Sequence, residues 1–117
     1  MYTITRIFTD KNGDSHFEDV FIPLKDEGEI GFLSDLIQVK GMVLREVLPA
    51  YDFDFHNTPH RQYIILLDGK IEIETSLGEK RQFSAGEILL MEDTTGKGHK
   101  TRNLIKQRRR SIFIKLD

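Results

Sequence analysis

The spacing of its turns is what most constrains this chain. Asn12-Gly13, Asp68-Gly69, Leu77-Gly78 and Ser84-Ala85-Gly86 read as bends, and the runs between them are short. Asn-Gly is the strongest of these signals, because both central residues of a type I′ hairpin turn need positive φ. Thr3 to Phe8, Val39 to Leu48, Gln62 to Leu67, Lys70 to Thr75, Gly86 to Met91 and Ser111 to Leu116 are runs of strand type. Ile71-Glu72-Ile73-Glu74 alternates strictly, which asks for one buried and one wet face. Short strands with turns every ~8–12 residues predict an all-β sandwich or barrel. Glu29 to Gln38 is the ambiguous stretch. Phe32, Leu33, Leu36 and Ile37 fit a helical stripe, but Gly28, Gly31 and Gly41 disfavour a helix, so a non-helical segment is expected.

At 117 residues, with no repeat, linker or low-complexity stretch, residues 1–117 are expected to form one domain. The formal charge of -2 gives no electrostatic reason to expect nucleic acid or an anionic membrane as partner. No apolar run approaches the ~20 residues of a membrane span. Without cysteine there is no disulfide, thiolate nucleophile or thiolate ligand. Met1-Tyr2-Thr3-Ile4 enters a strand-like pattern at once and carries no basic, apolar leader, so a cytoplasmic location is expected.

Two segments carry the chemistry. In the first, His56 and His60 flank Asn57-Thr58-Pro59, and Gln62 opens the apolar run Tyr63 to Leu67. Side chains two apart in an extended chain share a face, which would put His56, Thr58, His60 and Gln62 on one side unless Pro59 breaks the parity. In the second, Gly86 and the run Glu87 to Met91 lead into Glu92-Asp93-Thr94-Thr95-Gly96-Lys97-Gly98, a bend that delivers His99, with Asn103 four residues on. Imidazole nitrogen and amide oxygen can both ligate a divalent transition metal. They serve equally well as hydrogen-bonding groups for an organic ligand, and His99 could instead bond Asp93 or Glu92 and pin its own loop. Gly96-Lys97 is not a phosphate loop, since Met91 stands where the first glycine belongs and no helix pattern follows.

Together these segments resemble the cupin superfamily. His56, Gln62 and Gly69 fall in the register of its first motif, with Thr58 in place of a second His and Gln62 in place of Glu. Gly86, His99 and Asn103 follow its second motif, with Glu92-Asp93-Thr94 departing from Pro-x-Gly and a bend longer by two residues. The motif-bearing core runs from about 53 to 103. More narrowly, His56, Pro59, Arg61, Gln62, Glu92, Asp93, Gly96, Lys97, Gly98 and His99 resemble a group of small single-domain bacterial cupins. The resemblance implies an all-β fold, a cupin-type double-stranded β-helix (jelly-roll) barrel of short antiparallel strands. It also implies a pocket at the barrel mouth and a homodimer, for which Tyr2 to Phe8 is a suitable pairing strand.

Position by position, the superfamily's metal set becomes His56, Thr58, Gln62 and His99. Two readings stay open. In one, the barrel binds a small polar molecule through His56, His60, Gln62 and His99. A metal-free epimerase or isomerase is a variant of it, with Tyr51, Tyr63, Glu46 or Asp93 on hand to assist a proton transfer. In the other, His56, Gln62 and His99 hold one divalent transition metal (Zn, Fe, Mn or Ni) for oxygenase, isomerase or decarboxylase chemistry. Lys106-Gln107-Arg108-Arg109-Arg110 is the remaining charge run. With the chain acidic overall and no aromatics interleaved, it is expected to be a solvated hairpin loop, with the acidic segment Asp10 to Asp19 as a candidate partner.

Overall fold

The computed structural model describes residues 2–117. Twelve strands follow in order: β1 Tyr2–Thr9, β2 Ser15–Ile22, β3 Lys25–Asp26, β4 Phe32–Leu33, β5 Gly41–Val47, β6 Asp52–His56, β7 Gln62–Leu66, β8 Lys70–Thr75, β9 Lys80–Ser84, β10 Ile88–Met91, β11 His99–Asn103 and β12 Arg109–Lys115. They form a six-stranded sheet in the order β2-β1-β10-β7-β12-β5, a four-stranded sheet β6-β11-β8-β9, and the small pair β3-β4. All neighbours pair antiparallel except β1 and β10, which run parallel with Thr5 opposite Leu89. The result is a jelly-roll β-barrel.

Alternation builds the core. On β8 the odd positions Ile71, Ile73 and Thr75 are buried, while Lys70, Glu72 and Glu74 are not. Ile71 and Ile73 join Phe83 of β9 from the smaller sheet, meeting Ile7 of β1, Leu66 of β7, and Leu89 and Met91 of β10 from the larger one. Each fully buried aliphatic side chain contributes about 1.5–3 kcal/mol, so this two-sided cluster is the main force closing the sheets on each other.

The turns fall where the glycines do, with one difference in type. β1 and β2 pair over their full length, Tyr2 opposite Ile22 through Thr9 opposite Ser15. The connection is not a type I′ turn, because Gly13 has φ 85° but no described non-glycine residue has positive φ. A longer loop forms instead, with the Asp10 carboxylate accepting the backbone N–H groups of Asn12 and Asp14 at 2.8 and 3.1 Å. Residues 28 to 38 contain a single 3₁₀ turn at Gly28–Ile30 and strand β4, and no α-helix. No helix among the described residues is long and apolar enough to cross a membrane.

The basic run is not a solvated loop throughout. β12 begins at Arg109, whose side chain is buried. Arg108 pairs with Glu46 at 3.5 Å, and Arg110 with Asp68 at 2.9 Å. The acidic segment has other partners: Asp14 takes Lys97, Glu18 takes Arg6, and Asp19 takes Arg81. Residue-by-residue alternation on β12 overrides the apparent hydrophilicity of the run, since strand geometry turns Arg109 inward with Ser111 while Arg110 faces out.

Candidate functional site

Residues 92 to 98 have to pass unusually close to two other segments, and glycine makes that possible. Gly98 has φ +74°, and a Cβ there would lie 2.2 Å from the His56 carbonyl oxygen. Gly96 has φ +80°, and a Cβ there would lie 2.6 Å from the carbonyl oxygen of Gly13. Any larger residue would push the loop off both neighbours. The Asn57 side-chain amide fastens the approach by donating to the carbonyls of Thr95 and Gly96 at 3.0 and 3.1 Å. The Thr58 N–H donates to the Asp93 carbonyl at 3.2 Å.

The loop delivers His99 to the start of β11, opposite His56 on β6 and Thr75 on β8. The two imidazole centroids are 4.5 Å apart, and the Phe53 ring packs on His56 from another side at 3.9 Å. His99 is buried, and its Nδ1 lies 2.5 Å from Oδ2 of the fully buried Asp93. That bond directs the Nδ1 hydrogen to the carboxylate and leaves Nε2 for a ligand. His56 is held likewise, its Nδ1 lying 2.8 Å from the Asp54 carbonyl oxygen. A carbonyl only accepts, so Nδ1 carries the hydrogen and Nε2 presents a lone pair. Burial pushes the His56 pKa below the usual imidazole value, and the nearby His99 and Arg45 add to that effect.

Gln62 completes the polar wall. It opens β7, is buried, and its Oε1 has no hydrogen-bond partner. Together His56, Thr58, Gln62, His99 and Thr101 line one side of a cavity of about 240 Å³. Ile64, Leu66, Ile71, Ile73, Leu89, Met91 and Phe113 line the rest, with Tyr51, Phe53, Pro59, Arg45 and Lys115 around the margin. The cavity is therefore apolar in its body and hydrogen-bonding along one wall, and no carboxylate among the described residues lines it.

Of the residues expected from sequence, His56, Gln62 and His99 are brought together, and His60 is not. Thr58 is buried and donates its hydroxyl to the His60 carbonyl at 2.9 Å. This tight turn breaks the extended parity at Pro59 and leaves the His60 side chain exposed and outside the cavity lining. Of the groups on hand for proton transfer, Asp93 bonds His99 and Tyr51 lines the cavity. Tyr63 faces a groove on the other side of its sheet, and Glu46 pairs with Arg108 at the surface. Asn103 has a structural part: its amide donates to the carbonyls of Leu48 and Pro49, both at 3.2 Å, holding the segment that carries Tyr51.

The described residues lining the cavity offer a divalent ion no anionic ligand. Among the described residues no three His, Cys, Asp or Glu side chains converge as a ligand group. His56, Gln62 and His99 are neutral donors, the Thr58 hydroxyl donates its hydrogen to the His60 carbonyl, and Asp93 lies behind His99. The charged side chains lining the cavity, Arg45 and Lys115, are cations and would repel a metal ion. Sequence reasoning passed over both residues, along with Phe53 and Thr101. The signal for Lys115 was alternation, which puts it on the same face as Phe113, while Arg45, beside Glu46, had no such mark.

No family model matches the chain, and no curated protein matches it by sequence. Solved structures do match by shape. The cupin domain of Cnp3 from Schizosaccharomyces pombe superposes with a TM-score of 0.52 at 14% identity, covering 98% of this chain and 84% of that one. Protein NMB1881 from Neisseria meningitidis gives a TM-score of 0.47 at 13% identity, covering 100% and 87%. The ethanolamine utilization protein Q of Salmonella typhimurium LT2 gives 0.41 at 17% identity, covering 99% and 96%. The Cnp3 match gives the chain the cupin fold, as the sequence resemblance implied.

Proposed function

We propose that this cupin barrel binds a small organic molecule whose hydroxyl or similar polar group meets His56, Gln62 and His99, without a resident metal. The observation that carries this reading is Gln62: a buried amide whose Oε1 has no partner, lining an otherwise apolar cavity. An unpaired buried polar atom costs about 1–3 kcal/mol, and a ligand hydrogen bond removes that cost. His56 presents an acceptor nitrogen, and the Gln62 amide both donates and accepts. A hydroxyl, which also does both, complements this wall. The apolar body of the cavity takes the hydrocarbon part of the ligand.

Asp93 favours a second reading, proton transfer on the bound molecule. A buried carboxylate bonded to Nδ1 orients the His99 ring and stabilises the imidazolium that forms when Nε2 accepts a proton. In that reading His99 is the general base, and Asp93 is a positioning residue.

Gln62→Leu separates ligand binding from folding. The variant removes the unsatisfied amide at similar volume, so its thermal stability is expected to equal or exceed that of the native chain. Its affinity for a hydroxylated ligand found by calorimetric screening is expected to fall about tenfold or more. Unchanged affinity would overturn the assignment of this wall. Elemental analysis of untagged protein tests the metal-free reading. Stoichiometric transition metal that disappears in His99→Ala would replace it with the metalloenzyme.

A further inference from the structure

Six of the chain's eight arginines are ion-paired: Arg6, Arg61, Arg81, Arg102, Arg108 and Arg110. The other two, Arg45 and Arg109, have no carboxylate partner among the described residues, and both approach the same tyrosine. The guanidinium carbon of each lies 5.5 Å from the Tyr51 ring centroid. Arg45 lines the cavity and donates from Nε to Ser111 Oγ at 3.2 Å. Arg109 is 1% exposed, and its Nε donates to Asn103 Oδ1 at 2.8 Å, while Nη1 and Nη2 are buried with no hydrogen-bond partner. Its aliphatic stem packs on Gly69, where even a Cβ would lie 3.1 Å from Arg109 Cγ and Cδ.

Strand register places this pair beyond the polar wall. Inward-facing positions of β12 read Lys115, Phe113, Ser111 and Arg109 from one end to the other. Lys115 pairs with Gln62, Phe113 with Ile64, and Ser111 with Leu66 and Arg45. A ligand whose polar group meets Gln62 and whose hydrocarbon body lies against Ile64, Leu66 and Phe113 therefore points its far end at Arg45 and Arg109. Two like charges held near each other, one of them deeply buried with two idle NH2 groups, are costly without an anion.

We propose that Arg45 and Arg109 form an anion-binding floor, so that the cavity's ligand is a hydroxylated organic acid whose carboxylate lies between them. This extends the binding reading given above and rests on it. Arg109 itself does not line the cavity; Tyr51, which does, holds its ring centroid 5.5 Å from the Arg109 guanidinium carbon, and in this proposal rotation of the tyrosine side chain admits the carboxylate. Paired guanidinium N–H groups match the two oxygens of a carboxylate, which gives charge and direction together.

Hexanediol and ω-hydroxyhexanoate differ only at the end that would meet this floor. In calorimetric titration the native protein is expected to bind the hydroxy acid about tenfold or more tightly than the diol. Arg109→Met is expected to abolish that preference, weakening the hydroxy acid about tenfold or more relative to the diol. Equal affinity of the native protein for both probes overturns the floor and leaves the Gln62 wall standing, whereas no binding of either probe overturns both. Thermal unfolding guards against a purely structural effect. Without ligand, Arg109→Met should be at least as stable as the native chain, and saturating hydroxy acid should raise the native chain above it. Destabilisation of the variant by the same amount with and without acid would make Arg109 a strut and sink the proposal. Should Arg109→Met not fold, the less buried Arg45→Gln is read in the same way: loss of the acid preference supports the floor, and its retention overturns it.

Discussion

At the residue scale the site depends on hydrogen-bond inventory more than on charge. His56 and His99 are each held through Nδ1 by an acceptor that fixes the tautomer, Asp54 by its carbonyl and Asp93 by its carboxylate. Gln62 is held by none at Oε1. His56 also gives the site a pH dependence whose sign is determined. Burial lowers its folded pKa below the unfolded value of about 6.5, so the unfolded chain binds more protons in the interval between them. The stability contribution of neutral His56 is present above about pH 6.5 and is lost as pH falls through the lower, folded value. Denaturant titrations between about pH 7.5 and 5 are expected to show the native chain losing more stability than His56→Gln. Parallel curves would remove His56 from the account.

At the element scale the glycines of the 92–98 loop are not equivalent to those in open turns. Gly78 has φ +89° but nothing within 4 Å of where a Cβ would stand, whereas Gly98 has φ +74° and the His56 backbone at 2.2 Å. Gly78→Ala should therefore cost only the conformational strain, about 1–2 kcal/mol. Gly98→Ala adds a backbone collision and should cost more than about 2 kcal/mol, displacing His99 from His56. Chemical denaturation of the two variants checks the ranking, and equal costs would contradict the close approach. Four of the longer strands were not read from sequence, and each had a weak signal. β11 is His-Lys-Thr-Arg-Asn, whose inward residues His99 and Thr101 are polar because they line the cavity. β9 carries one apolar residue, Phe83, and β6 is an exposed edge. β2 follows the Asn-Gly turn that announced a hairpin, but mixes Phe17, Val20 and Phe21 with Glu18 and Asp19.

At the scale of the whole molecule, one carboxylate ties distant parts of the barrel together. Glu92, just past β10, is bonded by Arg6 of β1 and by Arg61 ahead of β7, with Arg61 Nε at 2.8 Å and Nη2 at 2.7 Å. Burial alone would raise the Glu92 pKa, but the hydrogen bonds and charges of Arg6 and Arg61 outweigh it and hold the carboxyl below its ordinary value. A depressed carboxylate stabilises the fold above the unfolded pKa of about 4.3 and loses that contribution as pH falls through the folded value. Glu92→Gln is expected to cost about 1–3 kcal/mol near neutral pH and to close on the native chain in acid. Urea titrations at neutral pH and below pH 4 read this directly, and a difference that persists in acid would assign the cost to packing.

The sequence by itself determined the all-β class, the positions of most turns, the buried face of β8 and the meeting of His56, Gln62 and His99. Alternation, glycine at tight bends and motif spacing are local properties, and local properties survive in a linear string. Tertiary structure alone decided that His60 turns away from the cavity. It also set Asp93 behind His99, and buried Arg109 within a run that reads as solvated. Each of those outcomes depends on which strand lies opposite and what fills the space between. An arginine's position in the chain does not say whether its partner is water, a carboxylate or the face of a tyrosine; pairing of β12 between β5 and β7 settles that for Arg109. The fold was legible because it repeats a period. The charges inside it were not, because their surroundings come from segments far apart in the chain.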